Sequence, residues 1–371
     1  MHLFFFTHDM DDGGSARSLF ILVRELSKRH RISIVSLAQP SVWKSTLPRY
    51  QALGVDVYGF RWGWLPVSYV GCTVQAEREN SLCAQMKHTL PSLQKLITQA
   101  DVVCFNGYPS SRLAANLPKD MPKYLIAREV LLRKSEAYTA TGAFLRRYIR
   151  HAIAISPEEA RQLSEWNIPH SIVFNTGALP PLFHPLPPAP PVRFGVFGQL
   201  LRSKGQYTLL QGCAQYTEAL RANRAEIHIF GSDNLGGAEG ITLAECIWKH
   251  KMKDIATLDG WTSDVEETMS AMHCIVRPDF TGSPWGRDVI EAMSVGRPVL
   301  ATGENTVFVQ PGVTGRLVPP KDPAAIGRAL VELSGDPGAL ERYAANAFAF
   351  AREHFDPVAN TAAIERILTQ A

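Results

Sequence analysis

The chain has 371 residues, more than one hydrophobic core usually serves, so two domains of about 150–200 residues are expected. Hydrophobic residues make up 46% and charged residues 20%, which excludes a disordered chain, and no apolar run approaches the ~18 residues of a membrane span. The net charge of +3 hides an asymmetry: residues 1–185 hold 21 Lys and Arg against 14 Asp and Glu, and residues 186–371 hold 17 against 21. A basic half can meet an anionic substrate or lipid surface, or serve solubility alone.

The first element, "MHLFFFTHDMDD", reads as a buried strand. Acidic residues follow where a signal peptide would stay apolar, so a cytoplasmic protein is expected. Further strands are expected at "RISIVSL", "GVDVYGF", "DVVCFNG", "KYLIAR" and "HAIAIS". Then comes "GALPPLFHPLPPAPPV" (177–192), with seven prolines in sixteen positions. Proline cannot continue a helix or a central strand, so this run reads as an interdomain linker.

After it, strands at "VRFGVFG", "EIHIFG", "IATLDG", "HCIVRP", "RPVLAT" and "GRLVPP" alternate with helices over 205–222, 240–252, 264–272, 287–295 and 323–334. Such alternation predicts parallel sheets with helices on both faces, hence two doubly wound α/β domains. Ligands of that architecture bind at the carboxyl ends of strands. The six cysteines (72, 83, 104, 213, 246, 274) contain no CxxC pair, which favours free thiols over a disulfide frame or a zinc site.

Several familiar chemistries are missing. No GxGxxG follows the first strand, "GQLLRSKGQ" lacks the glycine that precedes the lysine of a Walker loop, and there is no HExxH or GxSxG. What remains are anion and polyol features at strand ends. Gly13, Gly14 and Ser15 open a helix with apolar Leu19, Leu22, Val23 and Leu26. A glycine-lined helix amino terminus admits an anion, although a tight turn alone also calls for glycine. Arg202 and Lys204, in a loop after a strand, offer two cations to a diphosphate or form a solvated basic loop. Glu291, inside a helix that starts near Gly286, can grip two vicinal hydroxyls. Asp288 falls in the first turn of that helix, where the dipole favours an acid in any case. The aromatic and basic stretches 58–71 and 144–151 suit a membrane interface or ordinary packing equally.

Taken in order, these segments resemble the family-4 retaining glycosyltransferases of the GT-B fold, also described as glycosyl transferases group 1, over nearly the whole chain. "GQLLRSKG" is similar to the family's GRLxxxKG, and "SPWGRDVIEAMSVGRPVLAT" to its EPFGxxxxEAMAxGxPVIA. "QPGVTGRLVPPKDPAAIGRAL" is similar to DGxTGxLVPPxDxxALAxAI, and "SIVFNTGAL" to VIPNGVD. "GWTSDVEETMSAMHCIVRPD" matches the strand–helix–strand before the active loop.

The resemblance implies two Rossmann-like domains facing across a cleft. An acceptor-side domain would span 1–178, with a last helix in 358–371 crossing back onto it, and a donor-binding domain 179–357. It implies transfer of a sugar from a nucleotide-diphosphate sugar to a glycan, lipid-linked or small-molecule acceptor, with retention, in polysaccharide, lipopolysaccharide or other glycoconjugate synthesis. No metal, no other cofactor and no nucleic acid are implied, and membrane contact would be peripheral, through the basic domain. Lys204 would bind the diphosphate and Glu291 the ribose, with Gly13, Gly14, Gly198, Gln199, Trp285 and Gly286 lining the donor. The chain departs from the family in four places: Ser283 replaces the first of its paired glutamates, Gln199 its arginine, Arg128 a histidine after the fifth strand, and Gly303 alone stands for its glycine pair after "PVLAT". Arg202 is the substitute cation, and Lys204, Arg202, Ser283 and Arg128 are the catalytic candidates. A GT-B-like sugar-nucleotide epimerase and a catalytically weakened sugar-nucleotide binding module remain open alternatives.

Overall fold

A computed structural model of the protein describes residues 1–8, 10, 13–37, 46–59, 97–131, 133, 135–232 and 238–370. The chain divides into two compact units, Met1–Ala178 with Pro357–Ala371, and Leu179–Asp356. The first holds a parallel sheet of seven strands: β1 (His2–Thr7), β2 (Arg31–Ser36), β3 (Asp56–Gly59), β4 (Val102–Asn106), β5 (Lys123–Ala127), β6 (His151–Ala154) and β7 (His170–Ile172). Their order is β3-β2-β1-β4-β5-β6-β7. Every residue of β1 is buried, as its phenylalanine run requires of a central strand covered on both faces. Phe6 stacks on Phe105 of β4 at 5.4 Å. The helix Gly14–Leu26 buries Leu19, Leu22, Val23 and Leu26, the stripe expected from their spacing.

The last helix, Pro357–Thr369, belongs to this unit. Its Glu365 accepts from Arg29 and His30, the second at 2.7 Å, beside the end of Gly14–Leu26. Asn360 Nδ2 donates to the Phe174 carbonyl at 3.0 Å.

The second unit holds β8 (Val192–Phe197), β9 (Ala225–Phe230), β10 (Ala256–Gly260), β11 (Cys274–Arg277), β12 (Val299–Thr302) and β13 (Gly315–Val318), all parallel, in the order β10-β9-β8-β11-β12-β13. The order reverses between β8 and β11. The helix expected over 205–222 is two, Gln206–Gln215 and Thr217–Ala222, parted at Tyr216 (φ −120°) where the Thr217 hydroxyl bonds back to the Cys213 carbonyl at 3.0 Å. Asp-Pro pairs start two later helices, Pro323–Gly335 and Pro337–His354. In each the aspartate caps a backbone N–H at 2.9 Å and the proline takes a position whose N–H would be unpaired anyway.

The proline-rich stretch is held down rather than loose. Arg297 is fully buried, and its guanidinium donates to the carbonyls of His184 (2.7 Å), Pro185 (3.1 Å), Gly296 (3.1 Å), Met269 (3.3 Å) and Ser270 (2.6 Å). Burial lowers its pKa to about 10, which leaves it charged at neutral pH. His273 adds a second tie. Its Nδ1 accepts from the Arg193 N–H at 3.0 Å, so Nε2 carries the proton donated to the Pro187 carbonyl at 3.0 Å, and burial lowers its pKa in favour of this neutral form.

The described cysteines, 104, 213, 246 and 274, are free and buried, and burial pushes the thiols of Cys104, Cys213 and Cys274 up to about 12. No described helix is long and apolar enough to cross a membrane. Residues 60–71 of the first aromatic and basic stretch lie outside the described residues.

Candidate functional site

In the second unit the loops leaving the strands are fastened to one another through backbone atoms. Gly198 leaves β8 at φ +143°, with its N–H bonded to the Phe230 carbonyl at 3.1 Å. A Cβ on Gly231, after β9, would lie 1.9 Å from the Gly198 carbonyl, and the Gly231 N–H reaches the Gly260 carbonyl of β10 at 2.8 Å. On the other side of β8, the Phe280 N–H donates to the Ser203 carbonyl at 2.9 Å. Gly205 (φ +75°) sits so close to Pro278 that a Cβ would meet its carbonyl oxygen at 1.8 Å. The two loops flanking the β8/β11 reversal are thus locked together, and only glycine fits the contact. In a doubly wound sheet that reversal is where ligands bind.

Lys204 is half-buried and Arg202 exposed on this edge, and neither makes an ion pair with any described residue. Gln199 contributes its carbonyl to Gln206 Nε2 at 3.0 Å, while its own side chain is exposed. After β11, Arg277 donates from Nη1 to both oxygens of Asp288, at 2.6 and 2.8 Å, and from Nε to the Ser283 carbonyl at 2.8 Å. Burial opposes this charge, but Asp288 and Asp279 outweigh it and raise the Arg277 pKa. Asp279 in turn accepts from the Thr281 N–H at 2.9 Å. Both acids are therefore engaged in shaping the loop. The pair closes tightly over Gly286, where a Cβ would lie 2.7 Å from both Arg277 Nη1 and Asp288 Oδ1. The Ser283 hydroxyl faces the Trp285 carbonyl at 3.4 Å, and the Trp285 ring packs on buried Phe308 at 5.1 Å.

Glu291 lies in the helix Arg287–Ser294 and is 4% exposed. Arg287, one turn earlier, donates to its Oε1 from Nε at 3.1 Å and from Nη2 at 2.7 Å. The sequence reading, which places Glu291 on this helix as a grip for two hydroxyls, missed this partner. The i,i+4 spacing of arginine and glutamate was the available signal.

The first unit carries its own polar network at the strand carboxyl ends. Asn106, closing β4, donates to Thr7 Oγ1 at 3.2 Å and Ser15 Oγ at 3.1 Å, and accepts from Arg128 Nε after β5. Arg128 Nη1 also reaches Asn175 Oδ1 at 3.4 Å. Gly13 precedes the helix Gly14–Leu26 at φ −68°, a conformation open to any residue, and leaves that helix without a side-chain cap. The sequence reading passed over Glu129. Its carboxylate accepts the Tyr108 N–H at 3.1 Å and lies 2.6 Å from where a Cβ on Gly107 (φ +92°) would be, and burial raises its pKa.

Nearby Glu159 accepts from Ser156 Oγ, which itself caps the helix by accepting the Glu158 N–H at 3.1 Å. Burial first, then the charges of Glu158 and Glu129, raise its pKa from 4.5 to about 7. The protonated form is the one the fold favours, so this contribution is complete below about pH 4.5 and is lost as pH rises through about 7. Glu159→Gln is expected to remove roughly 3 kcal/mol of stability change over that window. Denaturant melts at pH 4.5 and 8 check it, and an unchanged difference between the two would refute the assignment. Among the described residues no group of three His, Cys, Asp or Glu is arranged to hold a metal ion.

Comparison with curated protein sequences gives no match. Among solved structures, the HepE protein of Anabaena, solved with UDP and with UDP-glucose, is 18% identical over all of both chains, with a TM-score of 0.79. Sucrose-phosphate synthase of Thermosynechococcus elongatus is 19% identical over 100% of this chain and 99% of its own, at 0.77. TarM of S. aureus is 11% identical over 99% of each chain, at 0.73. The family model for glycosyl transferases group 1 matches residues 191–336, the segment that carries the fastened loops, Lys204 and Glu291. Residues 191–336 are therefore similar to the glycosyl transferases group 1 model, in a chain whose two Rossmann-like domains have the GT-B fold.

Proposed function

We propose that the protein transfers a sugar from a nucleotide-diphosphate sugar to an acceptor hydroxyl, with retention at the anomeric carbon, in glycoconjugate synthesis. One observation carries this reading. The β8/β11 reversal brings Lys204 and Arg202, two cations without a carboxylate partner among the described residues, onto loops fastened to the one that leads into Glu291. The fold shared with HepE, which was solved with UDP-glucose, supports a nucleotide-sugar donor.

The main barrier is departure of the diphosphate. Lys204 and Arg202 stabilise its developing charge from fixed positions, which makes a metal unnecessary. Glu291 accepts from the two ribose hydroxyls, and Ser283 offers a single hydroxyl to the sugar. In a front-face attack the acceptor oxygen forms its bond to the anomeric carbon as the bond to the diphosphate breaks. The acceptor proton passes to the departing phosphate oxygen, so no protein nucleophile is needed. The acceptor hydroxyl belongs to a glycan, a lipid-linked saccharide or a small molecule.

A thermal-shift panel of UDP-, GDP-, ADP- and TDP-sugars tests the donor. A ligand at about 100 times its Kd stabilises the fold by ~2.7 kcal/mol. Release of nucleoside diphosphate only when an acceptor is present separates transfer from binding alone and from epimerisation, and a panel without any response overturns the reading. Within it, Glu291→Gln removes a charged acceptor worth about 1.5–3 kcal/mol, so affinity for the free nucleoside diphosphate is expected to fall at least tenfold. Unchanged affinity, read by titration calorimetry, would mean that the carboxylate serves the fold and not the nucleotide.

A further inference from the structure

Arg287 opens the helix Arg287–Ser294, and its pairing with Glu291 is not one that a helix adopts for its own stability. A cation in the first turn meets the positive end of the helix dipole, and arginine placed before glutamate is the weaker order of an i,i+4 pair. Burial adds a further cost. The two side chains keep only 10% and 5% exposure, and desolvating both charges can outweigh their attraction. The acid that this helix end favours is already present in Asp288, which Arg277 holds. Position 287 also falls among those that the family's EPFGxxxxEAM pattern leaves open, so the resemblance gives Arg287 no role.

The geometry shows what the pair does instead. Val289, Ile290, Ala292 and Met293 have no exposed surface, which fixes the rotation of the helix about its axis. The torsions of the Glu291 side chain remain, and Arg287 ties them down. Its Nε at 3.1 Å and its Nη2 at 2.7 Å converge on one oxygen, Oε1. A guanidinium is a rigid planar fork, so two of its donors on one atom set that atom's place and direction together. A carboxylate offers about four acceptor sites, and two N–H groups do not by themselves exhaust it. Glu291 is thus ordered before a ligand arrives, and binding need not immobilise it.

We propose that Arg287 is a positioning residue for recognition of the nucleotide ribose, acting through Glu291, whose carboxylate it aims at the ribose hydroxyls. This rests on the donor reading above, in which Glu291 accepts from those hydroxyls.

The test pairs UDP, GDP and ADP each with its 2′-deoxy counterpart and measures affinity by titration calorimetry. The proteins are the wild type, Arg287→Ala, Arg287→Lys, Glu291→Gln and the Arg287→Ala/Glu291→Gln double variant, with melting curves recorded in buffer. For the nucleotide it binds, the wild type is expected to prefer ribose at least roughly tenfold, because the deoxy analogue leaves a buried acceptor unmatched. Arg287→Ala is expected to cut that preference below about threefold, by weakening the ribonucleotide and leaving its deoxy counterpart nearly unchanged. Arg287→Lys keeps the charge on a single ammonium and is expected to fall between the two. In Glu291→Gln the preference is already lost, and adding Arg287→Ala changes it no further.

Equal weakening of both members of a pair by Arg287→Ala, or an unchanged preference, would overturn the proposal and leave Arg287 to the fold. If Arg287→Ala does not fold, Arg287→Lys decides, and a preference equal to that of the wild type overturns the proposal. A further loss of preference on adding Arg287→Ala to Glu291→Gln would also overturn it, since Arg287 would then act other than through the carboxylate. A wild type that binds none of these nucleotides, or binds both members of each pair alike, removes the ribose from Glu291. That result overturns the donor reading together with the proposal, and it is read from the wild type alone.

Discussion

Replacing Lys204 with alanine is expected to lower kcat/KM by roughly 30- to 1,000-fold, the equivalent of 2–4 kcal/mol of barrier. The ammonium is half-buried, lies on the loop locked to Pro278 and Phe280, and has no ion pair among the described residues. Its charge is therefore available to the diphosphate of the proposed donor, and its removal leaves the loop's backbone fastenings in place. The melting temperature should hardly move while turnover collapses. A variant with near-wild-type kcat/KM would remove Lys204 from the diphosphate site, whatever its effect on stability.

Arg297→Met is expected to act in the reverse manner, on stability and not on chemistry. Methionine fills much of the volume but donates nothing, so the carbonyls of His184, Pro185, Gly296 and Ser270 lose this donor, while that of Met269 keeps the Met272 N–H at 3.0 Å. Each buried acceptor left unpaired costs about 1–3 kcal/mol, and partial rescue by water brings the total to about 3–5 kcal/mol. Denaturant unfolding measures it. A loss under 1 kcal/mol would mean that the proline-rich segment holds its place without the guanidinium.

The strands were legible because each is an apolar run bounded by glycine, proline or a charge, and all twelve that the sequence marks are present. β7 was missed. It has three residues, none buried, and so no apolar pattern to betray it. The helix Pro337–His354 was also passed over. Its Asp-Pro start was readable, but its buried stripe is mostly alanine (Ala339, Ala344, Ala347, Ala351) and gives a weak periodic signal.

At the site, Lys204, Ser283 and Glu291 could be picked out because they sit at strand ends or within a motif. Their partners could not. Arg277 and Asp288 are eleven residues apart and meet only because β11 turns back over its own loop. Arg297 is a charge inside the apolar "VGRPVLA", and nothing local says that five carbonyls wait for it.

The fastening of the second domain's loops has an evolutionary consequence. At position 199 the scaffold uses the carbonyl that receives Gln206, and at position 283 the carbonyl that receives Arg277. Any amino acid supplies that oxygen. The two places where the chain departs from the family's arginine and glutamate are thus places where the side chain can drift without loosening the loop. Substitution at either position leaves these bonds in place, whereas a side chain at Gly205 or Gly231 would meet the backbone carbonyl of Pro278 or Gly198.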